Sequence, residues 1–136
     1  RSKKNYVDCA IAEITVPYSP SVLDVGIPKE PVFDVVVGSY IKKSGRTTGT
    51  TRAKVIAVDA TSRIEYDMGV VTFAGQIVTG QTDDGEPSSD GGDSGSVGFD
   101  DEGHPVGLLF AGSDEVTLYN TIQDVLSALK TKVYFT

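Results

Sequence analysis

Apolar residues along this chain gather in short runs rich in valine, isoleucine and threonine, each closed by glycine, aspartate, serine or proline. That pattern predicts β-strands joined by turns. "VDCAIAEITV" (7–16) reads as a first strand that stops at "PYSP". Residues 17–34 then carry Pro17, Pro20, Pro28 and Pro31 without sustained periodicity, as in an extended connection between two packed units. Beyond them come "FDVVVGSYIKKSG", "TGTTRAKVIAVDA", "SRIEYDMGVVTFAGQIVT", "SGSVGFD", "PVGLLFAGS" and "EVTLYNT", spaced as in an antiparallel barrel or sandwich. "DDEGHP" (100–105) has the chemistry of a hairpin turn, with Gly103 able to take positive φ. Helical spacing is confined to "NTIQDVLSALK" (120–130), where Ile122, Val125, Leu126 and Leu129 share a face behind an Asn120 or Thr121 cap. The predicted plan is a strand within 1–16, a linker over 17–34, an all-β unit over 35–120 and a helix with its tail over 121–136.

Composition narrows the classes. A chain of 136 residues, 39% hydrophobic, supports one compact core. Its net charge of -7 repels a phosphate backbone, which argues against nucleic acid as a partner. The single cysteine, Cys9, rules out an internal disulfide and a thiolate metal pair, and reads as a small buried apolar residue. No apolar run approaches the roughly 18 residues needed to span a bilayer, so no membrane partner is expected. "TDDGEPSSD" (82–90) lacks the alternating ligands of the twelve-residue calcium loop and reads as a solvated acidic loop; no metal and no organic cofactor is expected. The opening "RSKKNYVDCAIAEI" is neither a signal peptide nor an initiator-methionine start, which leaves the compartment open and suggests a longer parent.

The candidate chemistry lies in "SDGGDSGSVGF" (89–99). Gly91, Gly92 and Gly95 cost ordering entropy, so the run suggests that a ligand must approach this backbone closely. A serine hydroxyl becomes a useful nucleophile only beside a base, and the charge that develops on a substrate carbonyl needs donors fixed in advance. Ser94 between glycines suits both needs.

"GGDSGS" followed by "VGF", a hairpin and "PVGLLFAGS" resembles the nucleophile segment of trypsin-like serine peptidases of the chymotrypsin fold. "IKKSGRTTGTT" is similar to the opening strands of the second barrel in bacterial members, "LYNTIQDVLSAL" to the last strand and C-terminal helix, and "VDCAIAEI" to the strand bearing the triad aspartate. The resemblance runs from Val7 to about Lys130. It implies an all-β, chymotrypsin-like six-stranded Greek-key β-barrel, the second of the pair, closed by a C-terminal α-helix. It implies Ser94 as nucleophile, Asp8 as triad acid, and the amides of Gly92 and Ser94 as the oxyanion hole. By position, Ser88 and Ser89 would floor the substrate pocket, with Phe110, Ala111 and Gly112 as walls. Serine there favours a small or apolar side chain, although a shift of one residue would bring in the Asp90 carboxylate. Asp93, which in some relatives pairs with a newly freed N-terminus, has no assigned partner, and Arg46 is expected to make an ion pair on a β-turn.

One family element is absent. The base histidine should lie upstream of the aspartate, and only "RSKKNYV" precedes Asp8. The sole histidine, His104, falls in the hairpin turn and is expected to be solvated. Loss of such a base costs on the order of a millionfold in rate, so these residues alone should be nearly inert. The expectation is the C-terminal portion of a serine endopeptidase acting on polypeptide substrates, partnered by the missing N-terminal barrel of the same gene product. The alternative is an inactive pseudopeptidase barrel that binds proteins or peptides. A β-barrel adhesion or capsid-like module fits less well, having no need of an oxyanion hole.

Overall fold

A computed structural model describes residues 3–134. Six strands follow one another as β1 (Tyr40–Gly45), β2 (Gly49–Tyr66), β3 (Gly69–Thr82), β4 (Val97–Phe99), β5 (Pro105–Gly112) and β6 (Thr117–Thr121), with helix α1 (Ile122–Leu129) after them. All pairs are antiparallel, and the order β1-β2-β3-β6-β5-β4 closes on itself through Lys42 opposite Phe99. This is the six-stranded all-β barrel with a C-terminal helix that the family resemblance implies.

The core is built from the inward positions of each strand: Ile41, Val55, Ile77, Val106, Leu109 and Tyr119, with Val32 and Val35 packed against them. Tyr119 is almost wholly enclosed, and two glycines make room for it. A Cβ on Gly98 would stand 2.8 Å from the Tyr119 ring, and one on Gly107 would stand 2.9 Å from Tyr119 Cβ. Thr121 is the α1 cap, its hydroxyl accepting from the Asp124 amide. Lys130 ends the helix in the left-handed conformation, its amide returning to Leu126 and Ser127.

Two expectations change. "SRIEYDMGVVTFAGQIVT" is the tip of a hairpin, because Asp67 and Met68 turn the chain and Gly69 follows at φ +129°. Residues 7–16, read as a strand, form no ladder here; Ile11, Ile14 and Val16 are exposed. β6 pairs with β3 only at Ile77–Thr79, and the part of the β3 edge left open is taken up by Asn5, not by 7–16. The segment is nevertheless stitched down just before it. Asn5 and Phe73 form a parallel bridge, the Asn5 amide donates to Thr72 O and the Ala74 amide to Asn5 O. The proline-bearing stretch is moored as well, through the Lys29 amide to Gly103 O and the Val32 amide to Pro105 O.

Candidate active site

The glycine loop before β4 hangs on a buried carboxylate. Asp93 is fully enclosed and points back into the barrel. Its Oδ1 accepts from the Thr47 amide at 2.8 Å and the Thr48 amide at 3.2 Å. Its Oδ2 accepts from the Thr48 hydroxyl at 2.7 Å and the Asp90 amide at 3.0 Å. Lys43, equally buried, brings its ammonium to 3.7 Å from Oδ2 and donates to Thr48 Oγ1 and Gly49 O. Burial alone would raise the Asp93 pKa, but the donors from Thr48, Asp90 and Thr47 prevail and hold it down at about 2. Burial lowers the Lys43 pKa, and the Asp93 charge partly offsets that. A Cβ on Gly45 would collide with Asp93 Oδ1, so the β1–β2 turn must be bare there.

This anchorage shapes the surface of the loop. The Asp93 amide closes a turn on Asp90 O, the Ser96 amide returns to Asp93 O and the Gly95 amide reaches Leu109 O. Gly92 takes φ +101°, and a Cβ there would meet the Thr47 hydroxyl and stand 2.7 Å from Arg46 Nη2. Among the described residues neither the Gly92 nor the Ser94 amide has an acceptor. Ser94 is exposed, its hydroxyl donating only a long 3.4 Å bond to Phe110 O.

Asp8 lies opposite, across a cavity of about 350 Å³ lined by Asp8, Cys9, Ser94, Leu109 and Phe110 among others. Its backbone is pinned from below. The Asp8 amide donates to Asn120 Oδ1 at 2.9 Å, Asn120 Nδ2 to Gln76 Oε1, and Gln76 Nε2 to Tyr6 O. Both amide side chains are fully buried. Cys9 is half-buried, its thiol pKa raised by burial and then by Asp8.

A second cavity, of about 410 Å³, opens on the other side of Ser94 between Ser89, Asp90, Gly91, Leu109, Ala111, Gly112, Ser113 and Asp114. Ser89 shares a 2.6 Å hydrogen bond with the buried Thr117 hydroxyl. Ser88 also bonds Thr117 but turns into the barrel towards Gly80 O, so it does not line this cavity. Phe110 lines the cavity between Asp8 and Ser94 instead, next to a register shift in β5 between Leu109 and Ala111. Ala111 and Gly112 line the cavity, and a Cβ on Gly112 would press to 2.9 Å from Ser89 Oγ.

Two further side chains differ from expectation. Arg46 has no carboxylate partner among the described residues; it packs along Gly92, and the cation beside Asp93 is Lys43. His104 is only partly exposed, with Nδ1 2.7 Å from Glu30 O and Nε2 3.6 Å from Glu102, and it lines neither cavity at Ser94.

No protein-family model matches the sequence, and no curated protein matches it. Solved structures do. A chymotrypsin of Cellulomonas bogoriensis superposes with a TM-score of 0.65 at 24% identity, over 82% of this chain and 57% of that one. Protease A of Thermobifida fusca gives 0.64 at 21% identity, over 84% of this chain and 59% of that one. A glutamic acid specific serine protease described as using a histidine triad in substrate binding gives 0.61 at 28% identity, over 95% and 64%. The fold is that of the C-terminal part of bacterial chymotrypsin-like serine proteases. This chain spans less than two thirds of each of these proteases. Among the described residues no helix is long and apolar enough to cross a membrane.

Proposed function

We propose that this chain is the nucleophile-bearing part of a serine endopeptidase that hydrolyses peptide bonds through an acyl-enzyme on Ser94. The observation that carries the reading is the pairing of an exposed Ser94 hydroxyl with acceptor-free Gly92 and Ser94 amides, on a loop anchored by buried Asp93, facing Asp8 across an open cavity. In the proposed reaction Ser94 Oγ attacks the scissile carbonyl carbon as a histidine outside this sequence takes its proton. The Gly92 and Ser94 amides receive the oxyanion. The histidine then returns the proton to the departing amine, and water repeats the cycle on the ester. Asp8 orients the histidine.

The substrate side chain before the cut would enter the cavity of Ser89, Ala111 and Gly112. Two carboxylates, Asp90 and Asp114, stand in its lining, which includes no cation among the described residues. That environment favours a side chain carrying donors or positive charge over the small apolar one first expected. Ser89→Val should therefore change the ranking of peptide substrates by residue type while leaving probe labelling of Ser94 intact.

The test of the reaction is a fluorophosphonate probe on the full-length protein. Covalent labelling at Ser94, with hydrolysis lost on the order of a millionfold in Ser94→Ala at unchanged Tm, is the expected result. The second reading, a peptide-binding pseudopeptidase, is favoured by the placement of His104 away from both cavities. An unlabelled Ser94 in a folded full-length protein would establish it.

A further inference from the structure

Asp8 is held by its side chain as well as by its backbone. Tyr66, the last residue of β2, donates its hydroxyl to Asp8 Oδ2 at 2.6 Å. Asp8 Oδ1 has no partner among the described residues, so one carboxylate oxygen is committed and the other is not, and Asp8 lines the cavity shared with Ser94. The Tyr66 ring is itself fixed. It stands 6.3 Å from Phe73, tilted by 52°, and Phe73 stands 4.9 Å from Phe110. Phe110 lines the cavity and supplies the carbonyl nearest the Ser94 hydroxyl. One row of three rings thus links the support of Asp8 to the support of Ser94.

We infer that Tyr66 is a positioning residue for the hydrolytic reaction, fixing the rotation of the Asp8 carboxylate so that Oδ1 faces the incoming histidine. This rests on the reading of Asp8 as the triad acid. The carboxylate is exposed and turns about both its Cα–Cβ and its Cβ–Cγ bond, so without a donor on Oδ2 it would turn into solvent. A tyrosine suits the task because the ring is stiff and the hydroxyl is a donor of the right reach. Burial, then Asp8 itself, pushes the Tyr66 pKa well up, so the hydroxyl keeps its proton at any pH where the protein works. Among the residues lining the two cavities that flank Asp8, the only other titratable groups are Tyr66 and Cys9, and the Cys9 thiol is pushed up by burial and by Asp8. No cation there competes for the carboxylate.

The experiment uses the full-length protein and a chromogenic peptide substrate. Tyr66→Phe keeps the ring and removes the donor. Its expected signature is a fall of about tenfold in kcat with KM and Tm unchanged, a size in keeping with one hydrogen bond to a charged group. The acid limb of the kcat/KM profile should move to lower pH, because a wandering carboxylate stabilises the imidazolium less. Phe73→Leu disturbs the same packing without touching the hydrogen bond, and should lower Tm while leaving the acid limb in place. A Tyr66→Phe enzyme with wild-type kcat and pH profile overturns the inference, as does one that matches Phe73→Leu in every readout. Asp8→Asn separates the two levels. If it retains full activity, the triad reading itself falls; if it is crippled while Tyr66→Phe is normal, only the role of Tyr66 falls.

Discussion

Asp93 ties the reactive surface to the interior, and its ionisation should be visible in acid. Its pKa in the folded chain is about 2, below an unfolded value near 3.8, so the stability it contributes is fully present above about pH 4 and lost as pH falls through 2. Acid titration of Tm should therefore show a step in that window that is missing in Asp93→Asn. Removal of Lys43 acts differently. Lys43→Met leaves a buried carboxylate without its cation, a change that typically costs about 3 kcal/mol or more, and Tm at pH 7 should drop accordingly. At Gly92 both φ and the space against Thr47 and Arg46 forbid a side chain. On the proposed mechanism Gly92→Ala should cut kcat by about a hundredfold or more, the cost of one displaced oxyanion donor, with a smaller change in KM. The glycine loop was legible from residue types as backbone open to close approach, whereas Ser94 as nucleophile came with the family resemblance and is a proposal here. Lys43 was not singled out, although its period-two spacing from Ile41 places both on the inner face of β1. A lysine at an inward position is the signal that could have found the Asp93 partner.

At the level of elements, strand existence was easier to read than strand extent. β1 begins at Tyr40 and not at Phe33, since Gly38 at φ +94° and the Ser39 amide on Val36 O turn the chain first. The helix was placed within two residues, because its apolar spacing and threonine cap are local signals. Removing that cap in Thr121→Ala should destabilise the fold by about 1 kcal/mol, readable as a lower denaturant midpoint at unchanged slope. The Gln76–Asn120 relay escaped notice because its partners lie 44 residues apart in sequence and neither belongs to a motif. Spacing within a short window carries no trace of such a pair. Tyr66 escaped for the same reason, its carboxylate partner standing 58 residues upstream.

Over the whole molecule, the apolar residues left outside are concentrated before β1. Ile11, Ile14, Val16, Tyr18, Leu23, Phe33, Val36 and Val37 are all exposed. If residues 11–16 pair with an upstream barrel, their amides should exchange in the full-length protein as slowly as those of β5; rapid exchange there would remove the case for strand pairing. An all-β unit of several short strands was legible from their spacing, and the count of six and the barrel closure came with the family resemblance. The state of 7–16 was not, because a strand pattern reports a wish to pair and not the presence of a partner. Asp93 has a last consequence for the loop. Its hydrogen-bonding partners and cation, Lys43, Thr47, Thr48 and Asp90, all lie within one contiguous stretch of the barrel that also carries the serine. The barrel's own residues therefore hold the loop in place. A loop held this way keeps its shape for as long as the barrel stays closed.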